Sequence, residues 1–349
     1  MRSRYLQSWA GWVPLLGGAL LMARSGDPNL LHVATLIIIW AIWGTSLNLV
    51  WGYAGQFSMA QIGLGALSAY TAAILLEEYD WPIWGAAGIA LLVTVAASLL
   101  IAVVSLRLSG FYFAIMTLAF TLLLLSYIRT LEVAGRSTGI STRFEFGVVD
   151  IGPLHWDLSS ADGGFLALCI AVLAVFLLAI GRLEQSRSGR ALVTLREDPL
   201  LGTAVGVRVS SYRLIAFVLS AIVAGAAGIL YAAYFRYISP EFFGFSSLIT
   251  LIVQLVVGGR GHRFGPLVGA FVYIGLTEWA RFGGDYREGL FGVVLVAIVL
   301  FAPSGVLGTI ARLLRRWTHG APPGDSPVPD NPPVVVVTGD PTAGAMAEP

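Results

Sequence analysis

Side chains that commonly perform covalent chemistry are few in this sequence and are scattered along it. All 21 basic residues are arginine, so the chain has neither the lysine of a phosphate-binding P-loop nor one that could form a Schiff base. The four histidines lack the spacing of metal ligands, and Cys169 is the single cysteine. We therefore predict that the chain is not an enzyme, holds no metal, and leaves any ATP hydrolysis to another protein.

One polar segment interrupts the apolar sequence: residues 182–213 contain six arginines, with long apolar stretches on both sides. Asp198 and Pro199 predict a helix start, because aspartate accepts backbone N–H groups at the N-cap and proline fits the first helical position. Gly206 suits the left-handed residue that ends such a helix. The segment is longer than a turn between two helices requires.

A second short helix is predicted just before this one, over residues 189–197, with Leu192 and Leu195 on one side. Helices this short are not stable alone in water, so another surface must hold them. The segment is either a loop packed only on its own bundle or a docking element for a cytosolic partner, and we favour the docking element.

The elements that must position this segment are membrane helices. Of the 349 residues, 57% are hydrophobic and 12% charged, and the mean hydropathy is +0.81. Soluble domains are rarely so apolar, and a helix needs about 20 apolar residues to cross a bilayer. The sequence has ten apolar segments that we predict as spans, at 9–23, 30–51, 55–76, 83–106, 110–131, 163–181, 213–235, 245–258, 264–281 and 288–308.

The distribution of charge orients the predicted bundle. With a cytosolic N-terminus, the inner connections hold the arginines of 182–213 and a cluster after the tenth segment, whereas the outer connections collect acidic residues. The loop 132–162 is the one sizeable outer element and is expected to pack over the mouth of the protein. The proline-rich tail has no periodic apolar pattern and is predicted to be cytosolic and disordered.

Polar side chains inside the apolar segments are few. Gln56, Ser58 and Gln254 either line a solute pathway or form hydrogen bonds between helices, and Asn48 is another intramembrane amide. No acidic residue lies clearly in the middle of a span, which argues against an ion-coupled secondary transporter. A membrane-embedded enzyme would need a cluster of catalytic histidine or acidic residues, and the sequence shows none.

Small residues at a spacing of four predict close contacts between helices, since association in lipid depends on tight packing. They are Gly65, Ala69 and Ala73 in one segment, and Ser220, Ala224, Gly228 and Ala232 in another.

Several sequence segments between about residue 35 and residue 310 carry a family likeness. They are LNLVWGYAGQFSMAQIGLGALSAYTAA (47–73), GFYFAIMTLAF (110–120), residues 188–232, ISPEFF (238–243), VVGGRGHRFGPLVGA (256–270) and FAPSGVLG (301–308). Together and in this order they resemble the membrane permease subunits of bacterial branched-chain amino-acid ABC importers, the LivM type.

The resemblance implies an all-α polytopic transmembrane bundle of about ten spans with the type II ABC importer permease fold. With the composition of the tail, the chain is predicted to divide into a transmembrane permease domain, 1–311, and a disordered cytosolic tail, 312–349. Within the permease domain, 188–206 is similar to the coupling loop that sits in a cleft of the ATPase. On this basis, the residues expected to couple to the ATPase are Arg190, Leu195, Arg196, Glu197, Asp198, Pro199 and Gly206.

The resemblance also implies a heteromeric complex in the bacterial inner membrane. Its other members would be a second homologous permease, two cytosolic ATPase subunits that bind ATP and Mg²⁺, and an external solute-binding protein. The cargo would be branched-chain or related amino acids, and relatives with this fold that import urea or short amides supply the alternative. One departure is Arg136 in Gly135–Ile140, where the family usually has a second glycine.

Overall fold

The computed structural model describes residues 27–105, 108, 110–144, 148–151, 154–157, 163–197, 209–280, 292–293, 296, 300 and 305–309. The first predicted span, most of the tenth, the segment 198–208 and the predicted tail lie outside these residues. The boundary of the permease domain therefore stays a prediction.

Nine helices of at least 11 residues lie within the described ranges. In chain order they are α1 (Pro28–Leu47), α2 (Gln61–Glu77), α3 (Ile83–Ser105), α4 (Phe111–Ile128), α5 (Gly164–Gln185), α6 (Arg187–Glu197), α7 (Val209–Phe235), α8 (Phe245–Gly258) and α9 (Gly265–Ala280). Between α1 and α2 the chain continues as a π-helical segment, Asn48–Tyr53.

Five of these helices are long and apolar enough to cross a bilayer, namely α1 with its π-helical continuation, α3, α4, α5 and α7. Helices α2, α8 and α9 are apolar but shorter. On α3 and α4, large side chains such as Leu100 and Leu123 stay 66% and 69% exposed, as expected where a helix faces lipid. The prediction of a helical, multi-pass membrane protein is confirmed.

Helix α1 occupies the centre of the described bundle. It begins at a capped end, where the Asp27 carboxylate accepts the Asn29 amide hydrogen at 3.0 Å and Pro28 takes the first position. Every residue from Ile37 to Leu47 is buried, because α5, α7, α8 and α9 all pack around this helix. A membrane helix so enclosed by protein is well placed to respond to movements of its neighbours.

Helices α2 and α7 approach each other closely, and small residues permit this contact. A Cβ atom added to Gly228 of α7 would lie 2.7 Å from the carbonyl carbon of Gly65 on α2 and 2.9 Å from its Cα. Gly225, one turn earlier, lies similarly against Ser68. The predicted close contact between helices through small residues is confirmed, and both helices contribute small residues to it.

Short strands add a feature that the all-α prediction missed. Strand β1 (Ile140–Ser141) pairs antiparallel with β4 (Tyr237–Ile238), and β2 (Val148–Ile151) pairs with β3 (Leu154–Asp157). The β1–β4 pair joins segments that are about a hundred residues apart, so no local hydrophobic period could reveal it. It fixes the start of the loop 132–162 to the end of α7.

Arg136 adopts a backbone conformation that glycine would favour. Its φ is 52°, and Gly135 beside it has φ 71°. The Arg136 guanidinium pairs with Glu132, and the carbonyl of nearby Thr138 accepts a hydrogen bond from the Tyr237 hydroxyl. The departure from the family pattern thus falls at a left-handed position, where a side chain carries a conformational cost of about 1–2 kcal/mol.

The predicted span 55–76 is wrong at its beginning. The helix of α1 ends in the π-helical turn, and residues 55–60 form no regular structure before α2 starts at Gln61. Gly55 causes the break, because its φ of +71° cannot continue a right-handed helix. The segment places the Gln56 and Ser58 side chains between two helices rather than on one.

Candidate functional site

Helix α6 is a short amphipathic helix that lies against the bundle. Gly189, Leu192 and Leu195 are buried on one side, and Leu192 packs with Ala54 and Ala216. Ser186 caps the start of the helix, since its hydroxyl accepts the Gly189 amide hydrogen at 3.0 Å. The helix predicted over residues 189–197 is confirmed, and it starts two residues earlier.

The opposite side of α6 is polar and uncovered in the described structure. Arg187, Arg190, Thr194 and Glu197 are all exposed. An 11-residue helix is not stable by itself, so the buried leucines hold it in place while the charged side remains available. Such a surface suits a partner that recognises charge.

Arg196 connects α6 to the π-helical segment. Its Nη1 donates a hydrogen bond of 2.8 Å to the carbonyl oxygen of Gly52, while Nη2 lies 3.8 Å from the exposed Glu197 carboxylate. An exposed ion pair contributes little. The bond to Gly52 is therefore the structurally important contact of this side chain.

Two glycines make room for Arg196. Gly55 has φ +71°, and a Cβ there would lie 3.0 Å from the Arg196 Cα. Gly261 has φ +73°, and a Cβ there would lie 2.5 Å from Arg196 Nη1. The arginine is thus seated between two left-handed glycines from distant parts of the chain, where larger residues would displace it.

Asn48 ties the same π-helical segment to the loop between α8 and α9. Its Nδ2 donates to the His262 carbonyl oxygen at 3.0 Å, and its Oδ1 accepts the Gly261 amide hydrogen at 2.9 Å. In addition, the Arg260 guanidinium lies 4.7 Å from the ring centroid of Trp51. We call the assembly of α6, the π-helical segment 48–53 and the loop 259–264 the α6 junction.

Tyr53 brings the end of α5 into the α6 junction. The Tyr53 hydroxyl donates a hydrogen bond of 2.5 Å to the carboxylate of Glu184, which lies three residues before α6 begins. The Arg263 guanidinium lies against Gly181 of α5. A Cβ atom added to Gly181 would lie 2.6 Å from Arg263 Nη1. Movement of α6 would therefore act on the end of α5 as well as on α1.

Replacing Asn48 with alanine tests whether the α6 junction is held by this amide. We expect Asn48→Ala to lower the free energy of unfolding by about 2–3 kcal/mol, because it leaves the Gly261 N–H and the His262 carbonyl without their partner. Thermal unfolding of the purified protein in detergent measures the change. Asn29→Ala, at an exposed asparagine, is the matched control. Equal unfolding temperatures for the two variants would contradict this role.

The three residues proposed for a solute pathway have different surroundings. Gln254 is fully buried, and its Nε2 donates to the carbonyl oxygens of Trp40 at 2.9 Å and Pro266 at 3.1 Å, so it bridges α1, α8 and α9. The Ser58 hydroxyl accepts the Ala60 amide hydrogen at 3.2 Å. Gln254 thus forms hydrogen bonds between helices, which is the predicted alternative to lining a solute pathway.

Gln56 differs from the other two. It is 5% exposed, and within the described part of the chain neither its Oε1 nor its Nε2 has a hydrogen-bond partner. A buried amide without partners is costly unless water or a ligand reaches it. A pathway-lining role for Gln56, Ser58 and Gln254 stays a prediction.

Of the residues predicted to couple to an ATPase, four lie together on α6: Arg190, Leu195, Arg196 and Glu197. Leu195 faces the bundle, whereas the other three reach the surface. Asp198, Pro199 and Gly206 lie outside the described residues. Sequence reasoning missed Gly52 and Gly261, whose contacts with Arg196 span more than fifty residues and leave no local pattern.

Comparison with known proteins adds independent information. Residues 29–303 match the family model described as branched-chain amino acid transport system / permease component. The chain is 30% identical to the high-affinity branched-chain amino acid transport system permease protein LivM of Escherichia coli K12, over 84% of this chain and 73% of that protein.

Further relatives come from other organisms. The probable branched-chain amino acid transport permease protein LivH of Methanocaldococcus jannaschii is 30% identical over 58% of this chain and 65% of its own length. The high-affinity branched-chain amino acid transport system permease protein BraD of Pseudomonas aeruginosa is 29% identical over 36% of this chain and 41% of its own length. No solved structure matches the chain at comparable significance.

Proposed function

Because the chain belongs to the family of branched-chain amino acid transport permease components, we propose that it is the membrane-spanning permease subunit of an ATP-driven importer. It is a transporter subunit rather than an enzyme. In this proposal, branched-chain or related amino acids move inward across the bacterial inner membrane, with both termini of the chain in the cytosol. The bundle has about ten spans in a type II importer fold.

The proposed complex contains several other proteins. A second permease is supported by the relatives, among which LivM and LivH are distinct permease proteins. Two cytosolic ATPase subunits would bind ATP and Mg²⁺ and hydrolyse the nucleotide, and an external solute-binding protein would deliver the cargo. The absence of lysine from this chain is consistent with nucleotide chemistry on a separate subunit.

The observation that carries this proposal is the construction of α6. Its buried leucines anchor it on the bundle, and its exposed arginines and Glu197 offer a charged surface. We propose that this surface, together with Asp198, Pro199 and Gly206 beyond it, contacts the ATPase. Arg196 then links the docking surface to the membrane helices, because it lies on α6 and donates a hydrogen bond to the Gly52 carbonyl of the π-helical segment.

A movement of α6 has two direct routes into the membrane region. One passes from Arg196 to Gly52 and so to α1, which contacts α5, α7, α8 and α9. The other passes from Gly52's neighbour Asn48 to the loop before α9. Alternating access requires a helix bundle with two arrangements. Because α6 is connected in this way to α1 and its neighbours, its movement can favour one arrangement over the other.

We propose that Gln56 and Ser58 face the solute pathway when the bundle changes arrangement, and that Gln254 lies beside it. The support for Gln56 is its buried amide without partners in the described residues. Gln56 and Ser58 follow the break in the helix at Gly55, so a shift of the π-helical segment would reposition them. Specificity then depends mainly on the external binding protein, since this chain offers few fixed polar groups.

Reconstitution tests the proposed function. Liposomes that contain this chain, the partner permease and the ATPase subunits are expected to accumulate leucine only with ATP and binding protein. Liposomes that contain this chain alone should accumulate none, and urea is the control cargo. Leucine accumulation by the chain alone, driven by an ion gradient, would contradict the proposal and favour a secondary transporter.

A further inference from the structure

A cavity of about 580 Å³ opens at the end of α7 opposite to the α6 junction. Helix α7 meets α6 near Ala216 and lines the cavity with Tyr231 and Phe235, so 15 to 19 residues of helix, roughly 22–29 Å, separate the two sites. The volume of the cavity falls within the range of about 300–1,000 Å³ that is usual for small-molecule sites. The residues that line it are Tyr231, Phe235, Tyr237, Ser239, Glu241, Phe242, Ser246 and Ser247.

One wall of this cavity is aromatic. The rings of Tyr231 and Phe242 stack with centroids 3.9 Å apart and planes 13° from parallel, and Phe235 lies 4.6 Å from Tyr231. Tyr231 is buried behind this surface, with 6% of its area exposed. The stack provides a firm apolar surface on which an aliphatic side chain can pack.

The rest of the lining is polar. It carries the carboxylate of Glu241 and the hydroxyls of Ser239 and Ser246. Within the described part of the chain, the Glu241 carboxylate makes no ion pair, so its charge is available to a ligand. Ser246 and Ser247 lie in the first turn of α8, whose N-cap is Gly244, a residue with no side chain that could cap the first N–H groups of the helix.

The aromatic part of the lining suits the apolar side chain of an α-amino acid, and the polar part suits its ammonium and carboxylate groups. We propose that this cavity binds a zwitterionic α-amino acid with an apolar side chain, an inference that rests on the proposed function. The ammonium group pairs with Glu241, and the carboxylate accepts hydrogen bonds from Ser246 and the first turn of α8. The aliphatic side chain lies on Tyr231 and Phe242.

The position of the cavity is consistent with an entry site. In the proposed orientation α6 is cytosolic, so the opposite end of α7 faces the external binding protein. Strand β4, which supplies Tyr237, is paired with β1 of the outer loop. The cavity therefore lies where cargo released outside would first reach this subunit.

The single native cysteine makes a direct binding test possible. Cys169 is fully buried, so Ser239→Cys, at a partly exposed lining residue to which no ligand contact is assigned, would add one accessible thiol at the cavity. The assembled importer with its ATPase subunits, without binding protein, is treated with N-ethylmaleimide in the presence of L-leucine. We expect leucine to slow the modification several-fold, and 4-methylpentanoate, which lacks the amino group, to protect far less.

A second variant tests the role of the carboxylate. Adding Glu241→Gln should raise the leucine concentration needed for protection about tenfold, because a charge-assisted hydrogen bond becomes a neutral one. Glu132→Gln, at an exposed glutamate that pairs with Arg136, is the matched control and should change nothing. ATP-driven leucine uptake by the Glu241→Gln importer should fall in parallel.

The outcomes separate this inference from the function on which it rests. If the wild-type importer takes up leucine but leucine leaves the thiol modification unchanged, the cavity is not an amino-acid site and the proposed function stands. Equal protection by leucine and 4-methylpentanoate would likewise overturn the role of Glu241. A wild-type complex with no ATP-driven leucine uptake would contradict the proposed function and this inference together.

Discussion

Gly228→Ala is expected to destabilise the bundle by about 2–3 kcal/mol or more, because the added methyl group meets backbone rather than a movable side chain. The new Cβ would stand 2.7 Å from the carbonyl carbon and 2.9 Å from the Cα of Gly65. Relief would require α2 and α7 to separate, and in lipid that loses the packing that holds helices together. Thermal unfolding in detergent and the yield of folded protein measure the effect.

The control for this experiment is Gly275→Ala on α9. A Cβ at Gly275 meets nothing within 4 Å, so the substitution should be neutral or slightly stabilising through the better helix propensity of alanine. The comparison separates the contact from the general effect of removing a helical glycine. If Gly228→Ala unfolds at the same temperature as Gly275→Ala, the close α2–α7 contact does not limit stability.

Arg196→Gln is expected to reduce ATP-driven uptake about tenfold, since it removes a charge-assisted hydrogen bond worth about 1.5–3 kcal/mol. The bond joins α6 to the Gly52 carbonyl, so its loss frees the helix from α1 without unfolding either. The reconstituted importer should still hydrolyse ATP. The measurement is therefore the ratio of leucine molecules moved to ATP molecules hydrolysed.

Arg187→Gln supplies the matched control for this second experiment. Arg187 is an exposed arginine on the same helix, so its replacement removes equal charge without touching the π-helical segment. Loss of Arg187 weakens the proposed docking surface but keeps the bond from Arg196 to Gly52, so we expect the ratio of leucine moved to ATP hydrolysed to change by less than about twofold. Similar losses for both variants would mean that α6 acts through its net charge and that the bond to Gly52 is not the transmitting contact.

Much of the fold could be predicted because hydropathy and spacing act locally. The apolar segments within the described residues all became helices, and Leu192 and Leu195 face the bundle as their spacing indicated. The contact between α2 and α7 was also predictable, because small residues four apart mark a helix surface that another helix can approach closely.

The parts that could not be predicted depend on distant partners. Asn48 was recognisable as a polar residue in an apolar segment, but nothing near it in sequence indicates that Gly261 and His262 are its partners. The π-helical end of α1 and the break after Gly55 look apolar and helical in any local window. The β1–β4 pair is too short to leave a pattern, so it too emerges only in the folded chain.

The enclosure of α1 has a consequence for how the surrounding lipid acts on transport. Bilayer thickness and acyl-chain composition press on helices that touch lipid, and α3, α4 and α5 carry exposed apolar side chains suited to that contact. The helix that receives the Arg196 contact is instead shielded by neighbouring protein along most of its length. In the proposed importer, the connection between ATP hydrolysis and the solute path would therefore be less sensitive to changes in membrane composition, such as those that accompany growth at different temperatures.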